Sequence, residues 1–301
     1  MMDRNTLTAL LLITLVLIIT PYYMDLVSPS VPIVEETANE EEINQTIEYR
    51  EYEASSSTPS ELINPPKETV EKITKIENEL YIATISSLCG GSIKSFEIKE
   101  HLKYDSNFVN LVTPDNVKNL LVSFKDFNGG QVDLEKGWVL QSKIDSYYID
   151  AARSITYTNT LDDKKITKVL TFYPNRFIID VDIDITSLAN NTLSNNYTVT
   201  WFGGIPPTEK DSITESTYFY SYLYQGGELL DVKVGQDEEF SNDYKGQTDW
   251  VATRSKYFVT CLLDDSGEQF NGSNISASYL DKELYDLLCK IIMLLETHTI
   301  A

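Results

Sequence analysis

Short segments in which apolar and polar residues alternate recur along the chain from residue 70 onward. The clearest is Arg176–Ile185, in which every second residue is apolar and three of the intervening positions carry aspartate. A period of two places the apolar side chains on one face of a β-strand and the polar ones on the other. The pattern therefore predicts a half-buried strand, with these residues facing the core: Phe177, Ile179, Val181, Ile183 and Ile185.

Further segments have the composition and length of strands, with Gly, Asn, Asp or Pro between them. They are Leu80–Ile85, Ser92–Ile98, Asn119–Phe124, Gln131–Leu134, Trp138–Ile144, Ser154–Asn159, Lys165–Tyr173, Asn196–Trp201, Trp250–Thr253, Tyr257–Leu263 and Ser273–Leu280. Many short strands separated by turn residues are typical of an antiparallel sandwich. We therefore predict an all-β domain over residues 70–281.

The amino-terminal end follows a different pattern, because residues Thr6 to Met24 form one nearly continuous apolar run. At ~1.5 Å per helical residue, the run is long enough to cross the hydrocarbon core of a bilayer. No pair of small residues follows it at the spacing of a signal-peptide cleavage site. Arg4 precedes the run and no Lys or Arg follows until Arg50, so residues 1–26 are predicted to be an uncleaved transmembrane anchor with a cytoplasmic N-terminus.

Residues 27–69 are rich in glutamate, serine and proline. Low hydrophobicity combined with repelling charges does not offset the entropy of ordering, so this segment is predicted to be a disordered acidic linker. At the other end of the chain, apolar residues between Leu284 and Leu295 recur at helical spacing. Residues 282–301 are predicted to form a short amphipathic helix, too short and too charged to span a bilayer, that packs on the domain or lies on the membrane.

Charge excludes some classes of function. The chain of 301 residues has a formal net charge of -22 and a pI near 4.4. Such a chain repels phosphate backbones and anionic lipid surfaces, so we expect no nucleic-acid partner. Its three cysteines are too few and too widely spaced for a disulfide framework or a zinc site. Cys89 and Cys261 are either buried thiols or a disulfide pair, and burial is the ordinary state of cysteine.

Candidate chemistry is sparse. The sequence has no GxSxG, HExxH or P-loop motif. Asp180, Asp182 and Asp184 would share one strand face, but a calcium site needs further oxygens from a loop, so a solvated outer face is favoured. Ser255 and Lys256 are neighbours whose side chains would point to opposite faces of an extended segment, which argues against a nucleophile–base pair. We therefore predict no catalytic, cofactor-binding or metal-binding residue and expect that the chain is not an enzyme.

Several motifs, taken in order and spacing, resemble the front part of YidC-type membrane protein insertases. They are Met2–Thr6 leading into the apolar run, Glu79–Ser86, Gly90–Ser95, Lys168–Pro174, Trp201–Ile205 with Thr208 and Glu209, and Gly246–Trp250 leading into Arg254–Phe258. The resemblance covers residues 2 to 263, and the last motif is the most specific.

The resemblance implies a large antiparallel β-supersandwich of the galactose-mutarotase-like kind, held on the periplasmic side of the bacterial inner membrane. It implies a membrane protein insertase or chaperone without a cofactor. Its partners would be nascent membrane proteins, Sec translocon components and the lipid bilayer through the N-terminal helix. The chain has no counterpart of the insertase helices after Ala301, so we expect no insertion activity from it alone.

A rival interpretation is a carbohydrate-binding or mutarotase-like domain on the same fold. A mutarotase needs a general acid and a general base near neutral pH, commonly histidine with a carboxylate. The chain has two histidines, and His101 is the one within the predicted domain. This rival therefore depends on a carboxylate that approaches His101.

Overall fold

The computed structural model describes residues 69–113, 118–233, 239–265, 267, 269–281, 284–294 and 298–300. The predicted anchor at residues 1–26 and all of the predicted linker except residue 69 lie outside this range. Within the described range, no helix combines the length and the apolar character needed to traverse a bilayer. The described α-helix is α1, Ser212–Ser216.

Strands make up most of the described chain, which confirms the all-β prediction. In chain order they are β1 Ile73–Glu77, β2 Tyr81–Ser86, β3 Ser92–Leu102, β4 Phe108–Asn110, β5 Leu121–Asp126, β6 Gln131–Asp133, β7 Val139–Leu140, β8 Ser146–Tyr148, β9 Arg153–Leu161, β10 Lys164–Phe172, β11 Ile179–Asp184, β12 Thr192–Phe202, β13 Tyr220–Gln225, β14 Glu228–Val232, β15 Glu239–Arg254, β16 Val259–Leu263, β17 Phe270–Asp281, β18 Leu284–Leu294 and β19 His298–Ile300.

The described strands form three sheets. The first has the order β4-β3-β2-β1-β8, and the second the order β19-β11-β10-β9-β7. The third is the largest, with the order β14-β13-β15-β17-β18-β12-β5-β6, and β16 pairs with β15 beside this path. Neighbouring strands run antiparallel except for β1 and β8, which are parallel. Successive strands such as β1 and β2 pair as hairpins with short turns, whereas β12 pairs with β5 and β18, and β11 with β19, across long stretches of chain.

The core follows the period-two pattern of the sequence. In β10 every second residue is buried, including Ile166, Leu170 and Phe172, and each is fully covered. The largest covered aromatic side chains include Trp138, whose indole nitrogen donates to the carbonyl oxygen of Leu134 at 2.7 Å. Side chains from all three sheets join in one apolar core.

A tight turn between β2 and β3 fits closely against this core. Gly90 and Gly91 have φ angles of +70° and +110°. A Cβ atom on Gly90 would lie 2.8 Å from the Trp138 ring, and one on Gly91 would lie 2.9 Å from Leu170. Only glycine provides both the backbone conformation and the space at these positions.

The C-terminal segment corrects one prediction. Leu284–Leu294, predicted to be part of a helix, is strand β18, and His298–Ile300 is strand β19. β18 is bracketed by β17 and β12, and β19 pairs with β11. A short run of apolar residues fits a strand inside a sheet as well as a helix, and periodicity alone does not distinguish the two.

The Arg176–Ile185 prediction is confirmed in its central part. β11 spans Ile179–Asp184, with Val181 and Ile183 buried. Phe177, predicted to face the core, lies before the strand and is 49% exposed. The adjacent Ile178 interrupts the period of two, so the alternating pattern starts only at Ile179.

Candidate functional site

An apolar groove opens where strands of the three sheets meet. Its volume is about 520 Å³, within the usual range of ligand sites, roughly 300–1,000 Å³. One wall comes from β3, a second from the start of β11, and a third from β16 with Trp201 of β12. The apolar side chains that line these walls are Ile93, Phe96, Ile98, Leu111, Val112, Leu120, Phe177, Ile178, Ile179, Val181, Trp201, Tyr257, Phe258, Val259, Leu262 and Leu263.

Large apolar side chains at the rim of the groove remain in contact with water. Phe177, Ile178, Tyr257 and Val259 are each close to half exposed or more, with Val259 at 58%. Deeper residues such as Ile93 and Phe96 are buried. A concave apolar surface of this kind marks a site for an apolar ligand or partner.

A second cavity of about 520 Å³, which we call the polar mouth, adjoins the groove and shares His101, Tyr257 and Phe258 with it. Lys103, Tyr104, Thr208, Glu209 and Lys210 complete the polar part of its lining. The ring of His101 meets that of Phe258 edge-on, with 5.7 Å between the ring centroids. The mouth therefore combines charged groups with aromatic rings beside the groove.

Two of the motifs that carry the family resemblance meet at this mouth. Nζ of Lys256 donates to both carboxylate oxygens of Glu209 at 3.0 Å, and the hydroxyl of Tyr257 donates to the same carboxylate. The Tyr257 hydroxyl, followed by the Lys256 ammonium group, holds the pKa of Glu209 below its usual value. These bonds fasten the turn between β15 and β16 to the loop after β12.

A buried carboxylate fixes the conformation of that loop. Glu215 of α1 has no exposed surface, and it accepts hydrogen bonds from the backbone nitrogens of Thr208 and Glu209 at 2.7 Å each. It also accepts from the hydroxyl of Thr208 at 2.8 Å. Three donors satisfy a carboxylate that would otherwise be costly to bury. Glu209 is therefore presented to Lys256 by a rigid support.

A buried lysine joins two turns, and one of these turns contributes Leu120 to the lining of the groove. Lys168 of β10 is fully buried, and its Nζ donates to the carbonyl oxygens of Cys89 at 3.0 Å and Leu120 at 2.6 Å. Cys89 and Leu120 have φ angles of 55° and 62°, so both acceptors belong to left-handed positions in turns. Burial lowers the pKa of Lys168 to about 7. A neutral amine still carries two N–H groups, enough for the two carbonyls.

Ser255 and Lys256, considered above as a nucleophile–base pair, lie in the turn before β16. Ser255 and Lys256 are not in an extended strand: Ser255 and Phe258 close a tight turn through a backbone hydrogen bond of 2.9 Å. Ser255 is fully buried and its hydroxyl accepts from the backbone nitrogen of Phe258, while Lys256 binds Glu209. The two side chains therefore have separate partners and form no nucleophile–base pair.

The aspartates of β11 serve local structure. Asp180 accepts from the hydroxyl of Tyr173, and Asp184 accepts from the backbone nitrogen and the hydroxyl of Thr186. In the part of the chain that the structure describes, three or more potential metal-ligating side chains nowhere cluster. Cys89 and Cys261 are not joined to each other, and burial raises the pKa of each thiol to about 12.

His101 lies in the polar mouth, but within the described ranges no hydrogen bond or ion pair links it to a carboxylate. Glu209, which shares the mouth, is engaged by Lys256 and Tyr257 instead. The acid–base pair that a mutarotase requires is not assembled by these two residues.

Sequence reasoning missed the groove itself. Two signals were present: the three consecutive apolar residues Phe177–Ile179, and the uncharged segment Val259–Leu263. Consecutive apolar residues at the end of a strand imply that both faces of the strand contact apolar groups. Here one of the two faces borders the groove.

Comparison with known proteins supports the resemblance seen in the motifs. The family model described as the YidC periplasmic domain matches residues 73–295, most of the described chain. A membrane protein insertase YidC from Chlorobium luteolum is 26% identical over 278 residues, covering 88% of this chain and 47% of the relative. One from Prosthecochloris aestuarii is 27% identical over 280 residues, covering 88% and 46%. The chain thus spans about half the length of these relatives.

Among solved structures, a putative aldose 1-epimerase from Escherichia coli aligns with 77% of this chain and 97% of its own. The identity is 8% and the TM-score is 0.42.

Proposed function

The chain belongs to the family of YidC periplasmic domains, and from this we propose that it is the periplasmic part of a membrane protein insertase whose apolar groove binds apolar segments of nascent membrane proteins. One observation carries the role of the groove: large apolar side chains line it and remain exposed at its rim. The role we propose is binding, without catalysis and without a cofactor.

The physical basis is the cost of leaving apolar segments in water. A membrane protein segment that has left its export path exposes side chains whose full burial contributes about 1.5–3 kcal/mol each. Phe177, Ile178 and Val259 provide complementary surface that is already partly exposed in the free domain. The groove would bind such a segment weakly, because it can cover only a few side chains of that segment.

In the proposed organisation, an anchor and a linker precede the domain. Residues 1–26 would anchor the chain with its N-terminus in the cytoplasm, and residues 27–69 would be a flexible linker. Residues 70–281 would form the periplasmic domain, to which β18 and β19 are now added. The partners would be nascent membrane proteins, Sec translocon components and the lipid bilayer, and no nucleic acid.

A carbohydrate-binding role is a second candidate, and the polar mouth favours it. The exposed ring of Tyr257 beside Glu209, Lys103 and His101 offers a stacking surface next to hydrogen-bonding groups. A sugar would occupy the mouth without needing the apolar groove, so the two candidates predict different effects of groove substitutions.

Site-specific photocrosslinking distinguishes them. The full chain would carry a benzophenone amino acid at Val259 in the groove or at Leu229 on β14, which are 58% and 55% exposed. During export of a radiolabelled single-spanning membrane protein in cells, we expect adducts with its apolar segment from position 259 and none from 229. Equal adducts at both positions, or none at 259, would refute the role of the groove.

A further inference from the structure

Among the residues that the structure describes, strand β16 has one unpaired edge, and this edge lies beside the apolar groove. It is hydrogen-bonded to β15, and within the described ranges no other strand pairs with it. Its residues, Val259–Leu263, include no charge, no proline and no glycine. Proteins usually protect such edges with charges, prolines or bulges, because an open edge accepts another strand. At the opposite end of the same sheet, β14 follows that rule with Glu228 and Asp231.

The register identifies which backbone groups are available. Ser255 and Phe258 are a hydrogen-bonded pair, and the nitrogen of Asp264 donates to the carbonyl of Asp249. Hydrogen-bonded and non-hydrogen-bonded pairs alternate along an antiparallel ladder. Residues 260 and 262 therefore direct their backbone groups toward β15. The N–H and C=O groups of Val259, Cys261 and Leu263 point away from β15.

These three residues also line the groove. The open backbone edge and the apolar surface therefore face the same space. An occupant must supply backbone donors and acceptors at strand spacing together with apolar side chains at alternate positions. An extended polypeptide segment has both, whereas a helix has already used its backbone groups.

We infer that an extended apolar segment of a client protein binds in the groove by pairing as an added strand with the outer edge of β16. This inference rests on the proposed function and specifies how the groove would recognise its ligand. Backbone pairing does not depend on side-chain identity, so the site would accept many sequences. Discrimination would come from the alternate side chains that enter the groove.

The first test removes one outward-pointing donor. Cys261→Pro deletes the N–H of residue 261, which makes no bond to β15, whereas Cys261→Ala shortens the side chain and keeps that N–H. The full chain in nanodiscs would bind a fluorescein-labelled nine-residue peptide of alternating valine and threonine, with lysine at each end. We expect the proline variant to bind at least tenfold more weakly than the alanine variant. Circular dichroism of both variants verifies that the fold is retained.

The second test leaves the protein unchanged. The same peptide would be prepared with a single N-methyl group at each successive position. Strand pairing predicts that affinity alternates, with at least tenfold losses at every second position and little change between them. A flat profile would refute strand addition while leaving peptide binding, and thus the proposed function, intact. Failure of the wild-type and Cys261→Ala proteins to bind the peptide at all would refute both.

Discussion

Nζ of Lys256 lies 3.0 Å from each carboxylate oxygen of Glu209, although the two residues are 47 positions apart in sequence. The pair connects the turn that precedes β16 with the loop that follows β12. Partly exposed ion pairs contribute little to global stability. The contact is therefore better understood as a positioning device for the groove wall than as a source of folding free energy.

Substituting Lys256→Met is expected to loosen the turn without unfolding the domain. Amide hydrogen exchange in Ser255–Leu263 should become faster, because the turn loses the Lys256 contact with Glu209 and keeps that of the Tyr257 hydroxyl. The midpoint of urea unfolding should change little. Lys125→Met is the matched control, since Lys125 is an exposed lysine on β5 that forms no ion pair with the residues described. Unchanged exchange in the Lys256 variant would show that the pair does not hold the turn.

Lys168 should make stability depend on pH. Its pKa is about 7 in the folded chain against an ordinary 10.5, so the unfolded state binds more protons between these values. The free energy of unfolding therefore rises steadily as pH increases across this window. It is lowest at the pH 7 end of the window, where the folded protein must also bind the proton. Between pH 7 and about pH 8.5 the rise is on the order of 1–2 kcal/mol.

Urea unfolding of the wild type and Lys168→Met across this interval measures the effect. Methionine has no titratable group, so the difference between the two pH profiles isolates the lysine. The upper end of the pH interval stays below the ordinary thiol pKa of 9.0. At higher pH, Cys89 and Cys261 would lower the free energy of unfolding as pH rises, which is the opposite of the effect of Lys168. Parallel profiles would contradict a neutralised lysine.

Gly90→Ala should destabilise the domain more than Gly129→Ala. Both glycines have positive φ, at +70° and +82°, so both variants incur a left-handed backbone cost of about 1–2 kcal/mol. At Gly90 the new methyl group would also lie 2.8 Å from the Trp138 ring, whereas Gly129 has open space around it. Overpacking should add about 1–3 kcal/mol for the Gly90 variant. Chemical denaturation of both variants tests the difference, and equal losses would refute close packing at the turn.

Thr253→Val is expected to stabilise the domain. Thr253 is 1% exposed and, within the described residues, its Oγ1 has no hydrogen-bond partner. Replacing a buried, unpaired hydroxyl by a methyl group removes a desolvation cost of about 1–3 kcal/mol. Thr208→Val gives the opposite sign, because the Thr208 hydroxyl donates to Glu215 at 2.8 Å. The midpoint temperature of thermal unfolding should rise for Thr253→Val and fall for Thr208→Val. A lower midpoint for Thr253→Val would show that the Thr253 hydroxyl has a hydrogen-bond partner in the folded protein.

The fold could be predicted where one face of a strand is buried and the other is solvated. Val181 and Ile183 alternate with aspartates, and the period of two is visible without a structure. The first two thirds of β15 were not predicted, because Glu239–Asp249 is mostly exposed and polar and is ordered by pairing with β17 rather than by burial. The segment that forms β18 was predicted to be a helix, because its apolar residues fit a helix and an interior strand equally well.

The candidate site could be predicted only in part. The motifs around Glu209 and Lys256 were recognised as separate segments, but their contact depends on the path of the loop that Glu215 supports. Lys168 appeared in a motif as an ordinary strand residue, although the period of two places it on the same face as Ile166 and Leu170. The local pattern did not identify the two carbonyl oxygens that accept hydrogen bonds from its amine. Long-range contacts of this kind follow from how sheets pack, which local pattern does not determine.

The position of β18 has a consequence for the order of synthesis. This strand separates β17 from β12, so the largest sheet stays divided until residue 294 has left the ribosome. A chain halted earlier would expose two open strand edges, one on each half. The halves can join only after nearly all of the domain has been made, so the slow formation of long-range pairs should fall at the end of its biogenesis rather than at its beginning.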